Sequence, residues 1–335
     1  MDQSMSLTEG PVPTADEIVE TLKGFIDRSV ARAGGRTEAL KPGHRVPFHW
    51  PPHPASYRFH VLTSDWQGKT QWTAHGEEFP VSVARTPHGV FGRCEVLWHE
   101  ARGDTLEEML ENLAQTAEPL FNRQFAISDT LGLEGRFTGH IRDLGPAQLV
   151  LLLYCGDRDV ANEARTEIET HASLRVFTPG LIAILRDRSH PQRRSAQWCV
   201  LDLLEDMPSF CSTPEEVADA VSAIRDLLWS AENDFARSVF KAGVVLGGHL
   251  PDGTGGSVLI ECLASPSKFG RRSAIHGLFH VVEWHPDQSE AIVAALRAHM
   301  PDETEVTLRD FAEHMANDIE AGRREHVDEP QFAED

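Results

Sequence analysis

The sequence lacks the short motifs that identify common catalytic and ligand-binding sites. It contains no glycine-rich phosphate loop, no GxSxG elbow, no HExxH pair and no DxDxDG calcium loop. Its five cysteines are odd in number, scattered and without a CxxC or zinc-ribbon spacing. We therefore expect reduced, buried thiols in a reducing compartment rather than disulfides or a cysteine zinc site.

Positive charge is also scarce. The 335 residues include 31 Lys and Arg against 52 Asp and Glu, a formal net charge of −21. Binding to phosphate backbones or anionic membranes requires clustered cations, so this balance disfavours both. It favours a partner with a basic surface, although charge says nothing about the fold.

Long apolar runs are absent as well. No segment approaches the ~20 apolar residues that cross a bilayer, and the polar first 13 residues do not resemble a signal peptide. We expect no membrane association and a cytoplasmic location. The 41 % hydrophobic content is nevertheless sufficient for a buried core.

The first half predicts a small α+β domain at residues 14–139, after a disordered tail at 1–13. Thr14 and Glu17 form a capping box before a helical apolar stripe, and Thr105 and Glu108 form another before a second helix. Between the helices, alternating residues predict a three-stranded antiparallel sheet at about 57–61, 79–84 and 90–99. A helix that covers one face of this sheet would bury the alternating apolar side chains.

A proline-rich segment at 40–56 precedes these strands and includes Phe48 and Trp50. Prolines at this density exclude a helix or a central strand. The two aromatic residues are candidate anchors for a protein partner. The alternative is a strap that packs on its own domain, which is the more common role for such a segment.

From about residue 140 a three-residue motif recurs in the sequence. Arg194-Ser195-Ala196, Arg237-Ser238-Val239 and Arg272-Ser273-Ala274 follow one another at spacings of 43 and 35 residues. Each motif follows a predicted apolar helix and a polar turn, and each precedes a second predicted apolar helix. Thr178-Pro179 and Thr213-Pro214 mark helix starts, and a final helix is expected at 307–321. Periods of this length are typical of stacked helix pairs.

These features resemble the HEAT/armadillo class of α-solenoids over residues 140–322, followed by an acidic tail at 323–335. The resemblance implies a mainly α protein that binds other proteins through an extended repeat surface. It also suggests two roles for Arg194, Arg237 and Arg272: a basic binding stripe, or structural contacts to the preceding turn.

Two further clusters are candidate sites. His276 and His280 lie four residues apart on a predicted helix, a spacing that zinc sites use, although packed histidines at a repeat interface are the more common outcome. A polar run before the second capped helix could support acid–base catalysis, or could form a turn with ion pairs; its residues are His99, Glu100, Arg102 and Asp104.

Taken together, the sequence favours a non-catalytic scaffold, adaptor or inhibitor that has no cofactor and binds another protein. One alternative is a lyase- or hydrolase-type enzyme with its site at the junction of the two regions. A second alternative is nucleic-acid binding through the repeated arginines, which the net charge opposes.

Overall fold

The computed structural model describes most of the chain and divides it into two units. The smaller unit is Pro47–Thr138, and the larger combines Met1–Val46 with Gly139–Asp335. The described residues are 14–32, 56–58, 67–74, 77–86, 89–94, 99–230, 236–248, 250 and 253–323. Over these residues the protein is mainly helical with one small antiparallel sheet, as the sequence predicts.

The smaller unit contains an antiparallel sheet whose strands are neighbours in chain order. The three predicted strand regions overlap the first, third and fourth strands of the sheet, and the structure adds the second and the fifth. A long helix, α2, follows the sheet. The elements are β1 (Ser56–Arg58), β2 (Gln67–Ala74), β3 (Glu77–Thr86), β4 (Gly89–Cys94), β5 (His99–Gly103) and α2 (Leu106–Leu131).

Helix α2 covers one face of this sheet, and the core of the smaller unit lies between them. Val81, Val90 and Cys94 point from the strands toward Met109 and neighbouring apolar residues of α2. The approach is close, because a Cβ atom at Gly103 would lie 2.3 Å from the Met109 amide nitrogen. The predicted cap at Thr105 is confirmed: its hydroxyl accepts a hydrogen bond from the Glu108 amide at 3.1 Å.

All regular secondary structure described in the larger unit is helical, with α-helices and a few short 3₁₀ turns between them. The α-helices are numbered here in chain order. They are α1 (Ala15–Arg32), α3 (Pro146–Leu152), α4 (Arg158–Glu169), α5 (Thr178–Arg186), α6 (Arg193–Leu203), α7 (Met207–Phe210), α8 (Pro214–Trp229), α9 (Ala236–Gly248), α10 (Gly255–Cys262), α11 (Lys268–Trp284), α12 (Ser289–His299) and α13 (Val306–Glu320). None of the described helices is long and apolar enough to span a membrane.

These helices pack as successive pairs. In each pair, the two helices contact each other: α3 with α4, α5 with α6, α8 with α9, α10 with α11, and α12 with α13. Each first helix also contacts the first helix of the next pair, and each second helix contacts the next second helix. The repeated Arg-Ser motifs at 194, 237 and 272 all lie near the start of the second helix of a pair, namely α6, α9 and α11.

Side-chain hydrogen bonds connect adjacent pairs at a regular sequence distance. The Tyr154 hydroxyl donates to Asp187, 33 residues later, at 3.1 Å. Arg225 donates to Glu261, 36 residues later, at 2.6 Å, and Arg271 donates to Glu303, 32 residues later, at 2.7 Å. These separations lie in the thirties, close to the 35-residue spacing between the second and third repeated motifs.

Helices α9 and α11 approach each other through small residues. A Cβ atom at Gly243 would lie 2.2 Å from the Ser273 carbonyl oxygen, and one at Gly247 would lie 2.1 Å from the Gly277 carbonyl oxygen. The Gly243 amide donates to the Ser273 hydroxyl at 3.1 Å. The two backbones are therefore in contact, which no larger residue at these positions would permit without a shift.

The first helix, α1, belongs to the larger unit and not to the α+β domain that the sequence predicts at 14–139. Its apolar stripe packs on α3 and α5, with Ile18 and Leu22 each 1 % exposed. The Phe25 ring lies 5.7 Å from the Tyr154 ring. This partner surface is more than 100 residues away in sequence, so local periodicity identifies the helix but not its neighbours.

Candidate functional site

A groove lies between α1 and α5 among the described residues of the larger unit. Its volume is about 660 Å³, within the range of pockets that bind ligands or side chains. We call it the α1–α5 groove. Its apolar lining is Val19, Leu22, Ile26, Pro179, Ile182 and Ala183, and its charged rim is Lys23, Asp27, Arg186, Arg188 and Asp219.

The rim of the groove carries both signs of charge. Lys23 pairs with Glu20 at 2.7 Å, and Arg186 of α5 donates to both carboxylate oxygens of Asp219 of α8. Asp187 also lines the groove, so three basic and three acidic residues surround the apolar strip and positive charge is not in excess. An apolar strip with a mixed rim fits a protein segment better than a phosphate backbone, which requires clustered cations.

A buried polar network supports the floor of the groove. Asp187, at the end of α5, accepts hydrogen bonds from the Tyr154 hydroxyl, the Ser189 amide and hydroxyl, and the His190 amide. The Gln197 side-chain amide donates to the Asp187 carbonyl at 2.9 Å and to Leu185 at 3.2 Å. Backbone groups at the end of α5 thus receive side-chain partners, which fixes this helix end.

Burial controls the protonation of this network. Burial is the main cause of the low pKa of His190, which is about 4. The Asp187 carboxylate raises this pKa, and the charge of nearby Arg193 lowers it further. Burial and the Asp187 carboxylate raise the pKa of Tyr154 well above 10. The Gln192 amide donates to His190 Nδ1 at 3.0 Å, so the neutral ring carries its proton on Nε2. Both rings are neutral near pH 7 and serve packing rather than proton transfer.

The predicted acid–base cluster lies on the surface of the smaller unit. Glu100 faces Arg93 across β4 and β5 at 3.6 Å, with 70 % of the Glu100 side chain exposed. Arg102 lies over the Phe91 ring at 5.6 Å. Asp104 is exposed, and its amide donates to Glu108. His99 lies in β5, but its side chain is outside the described atoms. The arrangement of Glu100, Arg102 and Asp104 is that of cross-strand pairs and a helix cap.

Arg194 and Arg272 do not lie on an exposed basic stripe, which is one of the two roles that the sequence suggests for the repeated arginines. Arg194 and Arg272 are 9 % and 7 % exposed, so these side chains lie inside the protein. The guanidinium of Arg272 lies 6.0 Å above the Phe240 ring of α9. The physical reason is that second helices pack on second helices, which encloses residues near their starts. The side chain of Arg237 is outside the described atoms.

The aromatic anchors proposed from sequence, Phe48 and Trp50, lie outside the described residues. Their binding role stays a prediction.

The structure brings His276 and His280 together on α11. Their Nε2 atoms are 2.8 Å apart, and His280 Nδ1 lies 2.6 Å from a Glu283 carboxylate oxygen. Among the described residues no group of three or more His, Cys, Asp or Glu could hold a metal ion. The five cysteines are all buried and free of disulfides, as predicted.

Sequence reasoning missed the α1–α5 groove. A local signal exists, because Val19 and Ile26 widen the apolar stripe of α1 beyond the face that Ile18, Leu22 and Phe25 bury. The partner helix could not be inferred from the first 40 residues alone.

Comparison with protein-family models, with curated proteins and with solved structures gives no match for this chain. The functional interpretation therefore depends on the geometry of the described residues.

Proposed function

We propose that this protein is a non-catalytic interaction protein, a scaffold or inhibitor, that binds a partner protein through a HEAT-like α-solenoid. The main support for this proposal is the packing of successive helix pairs. The first helix of each pair contacts the first helix of the next pair, and the second helix contacts the next second helix. Stacked pairs of this kind present long surfaces for binding without any catalytic group. We further propose a cytoplasmic location, in keeping with the buried, free thiols.

The α1–α5 groove is the proposed docking surface. Its apolar strip would accept the apolar face of a helix or an extended segment, which is a recurrent mode of peptide recognition. The mixed rim would then set the orientation of that segment through ion pairs. The polar network at Asp187 supports this proposal, since a fixed helix end keeps the groove in shape before the partner binds.

The alternatives from sequence receive less support. Glu100, Arg102 and Asp104 are exposed on the surface of the smaller unit, which weakens a catalytic role. Arg194 and Arg272 are buried, which weakens nucleic-acid binding through a basic stripe.

A single substitution can test the docking surface. Ala183 is half-buried in the lining of the groove, and an arginine there would place charge and bulk on the apolar strip. Ala294 is exposed on α12 and provides a matched control with the same substitution in a helix. We would compare wild type, Ala183→Arg and Ala294→Arg in tagged purification from cytoplasm, with quantitative mass spectrometry and thermal unfolding of each variant.

We expect one protein to co-purify stoichiometrically with wild type and with Ala294→Arg, and to fall at least tenfold with folded Ala183→Arg. Equal retention by all three proteins would exclude the groove as the docking surface. If no protein is retained by any of them, the scaffold proposal is contradicted.

A further inference from the structure

The His276–His280 pair has the convergence that a metal chelate requires. The two residues lie one helical turn apart on α11, so their side chains project from the same face. Their Nε2 atoms face each other at 2.8 Å, and the ring centroids are 4.6 Å apart at an interplanar angle of 72°. The two nitrogens that would bind a metal thus already lie next to each other.

Glu283 fixes the tautomer of the outer histidine. Its carboxylate oxygen lies 2.6 Å from His280 Nδ1, and an ionised carboxylate can only accept a hydrogen bond. The proton therefore sits on Nδ1, and the Nε2 lone pair of His280 points toward His276. A histidine that donates one ring N–H to a carboxylate and keeps the other nitrogen for the ion is the usual outer-shell arrangement of metal sites.

Packing orients the inner histidine. His276 is 3 % exposed, and its ring lies 4.3 Å from the Phe240 ring of α9. In the present arrangement one N–H lies between the two Nε2 atoms. A metal ion would replace this hydrogen bond when His276 takes the tautomer with its proton on Nδ1, so that both Nε2 lone pairs face the ion.

The required movement is small. Two nitrogens that bind one zinc ion at tetrahedral geometry lie about 3.4 Å apart, so the pair must open by about half an ångström. The side chain of His280 is 18 % exposed, which gives its ring room to move and gives water access to the remaining coordination positions.

We propose that His276 and His280 form a two-histidine chelate for a divalent transition metal of the zinc and copper class, with Glu283 as the positioning residue and water as the remaining ligands. Imidazole nitrogens suit these ions, whereas magnesium and calcium prefer oxygen ligands. The site goes beyond the proposed interaction function and does not depend on it.

The test is a titration of the full, metal-free chain with Zn²⁺, followed by calorimetry. Variants His280→Gln and Glu283→Gln remove a ligand and the positioning carboxylate respectively. His314→Gln is the control, because His314 is an exposed histidine of α13 that also has an acidic neighbour one turn away.

We expect His280→Gln to weaken the binding of one Zn²⁺ at least tenfold, and Glu283→Gln to weaken it 10- to 100-fold. His314→Gln should bind as wild type does. Thermal unfolding without metal should be the same for Glu283→Gln and wild type, whereas Zn²⁺ should raise the Tm of wild type more. An unchanged Tm without metal, together with a smaller rise in Tm with Zn²⁺, would show that Glu283 positions a metal ligand. Loss of a structural contact would instead lower the Tm without metal as well.

Seventeen histidines offer other places for adventitious binding, so a second readout is needed. With one equivalent of Cu²⁺, electron paramagnetic resonance should show two nitrogen ligands in wild type and fewer in His280→Gln. Binding that is equal in wild type and His280→Gln, or no binding of either ion, would overturn the proposal.

Discussion

The polar residues around Asp187 show how single side chains determine the response of this protein to acid. His190 stacks on Phe25 with ring centroids 5.1 Å apart and lies at a T-shaped angle to Tyr154. This imidazole has no room for a hydration shell that would stabilise its charged form. The His190 ring therefore packs against Phe25 of α1 in its neutral form.

Acidification should destabilise the protein through His190. In the unfolded chain the imidazole takes up a proton near pH 6.5, whereas in the folded protein it does so only at about pH 4. Because the folded pKa is lowered, the unfolded state binds more protons between these values, and stability falls as the pH falls through this window. From pH 7 to pH 5 the loss from this residue is about 2 kcal/mol.

The variant His190→Asn should reduce that loss. An Asn side-chain oxygen can accept the Gln192 amide as Nδ1 does, but it has no proton to gain. Urea unfolding of wild type and His190→Asn at pH 7 and pH 5 measures the effect. Wild type should lose about 2 kcal/mol more than the variant between the two pH values. An equal loss in both proteins would show that His190 does not titrate in this window.

At the scale of elements, the contact between α9 and α11 reverses the usual effect of glycine in a helix. Replacing glycine by alanine inside a helix normally stabilises it by about 1 kcal/mol. At Gly247 the new methyl group would lie 2.1 Å from the Gly277 carbonyl oxygen, a backbone atom that cannot rotate away. Overpacking typically costs about 1–3 kcal/mol, so here the steric cost should exceed the gain in helix propensity.

We expect Gly247→Ala to destabilise the protein by about 2 kcal/mol. Gly24→Ala, in the interior of α1, is the matched control, since the nearest atom there is the flexible end of the Arg28 side chain at 3.3 Å. That variant should stabilise the protein by up to about 1 kcal/mol. The measurement is denaturant unfolding of both variants, and effects of the same sign would contradict the proposed backbone contact.

The sequence predicts local elements well because their signals are local. The helix start predicted at Thr213-Pro214 is confirmed, and Thr213 forms a capping box with Glu216 there. The last helix, predicted at 307–321, is α13, which runs from Val306 to Glu320. Thr178 is different: it was predicted as a cap, but its hydroxyl donates to the Phe210 carbonyl, 32 residues away. Tertiary contact overrode the local preference.

The candidate site was less predictable for the same reason. The spacing of His276 and His280 predicts a shared face, and the structure confirms that they meet. The α1–α5 groove instead joins residues about 160 positions apart, such as Val19 and Ile182. The burial of Arg194 also depends on neighbouring helices, which a motif of three residues cannot indicate.

At the scale of the whole molecule, ion pairs add to the apolar contacts and hydrogen bonds that connect adjacent helix pairs. The clearest case is Glu303, whose side chain is fully buried and accepts two hydrogen bonds from Arg271 at 2.7 and 3.0 Å. His299 also lies 3.0 Å from this carboxylate. The contact connects α11 to the turn that precedes α13.

Removing one charge of this pair should be costly. Glu303→Gln leaves the guanidinium of Arg271, whose side chain is only 13 % exposed, without its counter-charge. Breaking a buried ion pair from one side typically costs about 3–5 kcal/mol. Arg225→Gln provides the comparison, since its partner Glu261 is half exposed and that pair should be worth about 1 kcal/mol or less. Urea unfolding of both variants tests this, and similar losses would show that burial does not decide the strength of these pairs.

The division into two units leads to a prediction about the whole chain. The larger unit is discontinuous, because α1 precedes the smaller unit in sequence but packs on α3 and α5. The smaller unit has its own core between α2 and the sheet. A domain with its own core is often tolerated as an insertion and can be removed without unfolding its host.

We therefore expect a chain in which residues 47–138 are replaced by a flexible Gly/Ser linker to fold cooperatively and to keep the α1–α5 groove. A matched chain that begins at residue 139, and so lacks α1, should lose the contacts of Ile18 and Leu22, both almost fully buried, and unfold at lower urea concentration. Burying two such side chains contributes about 3–6 kcal/mol. If the two chains are equally stable, α1 is not part of the larger unit. If only the linker chain retains the partner that wild type captures, the groove binds without help from the smaller unit.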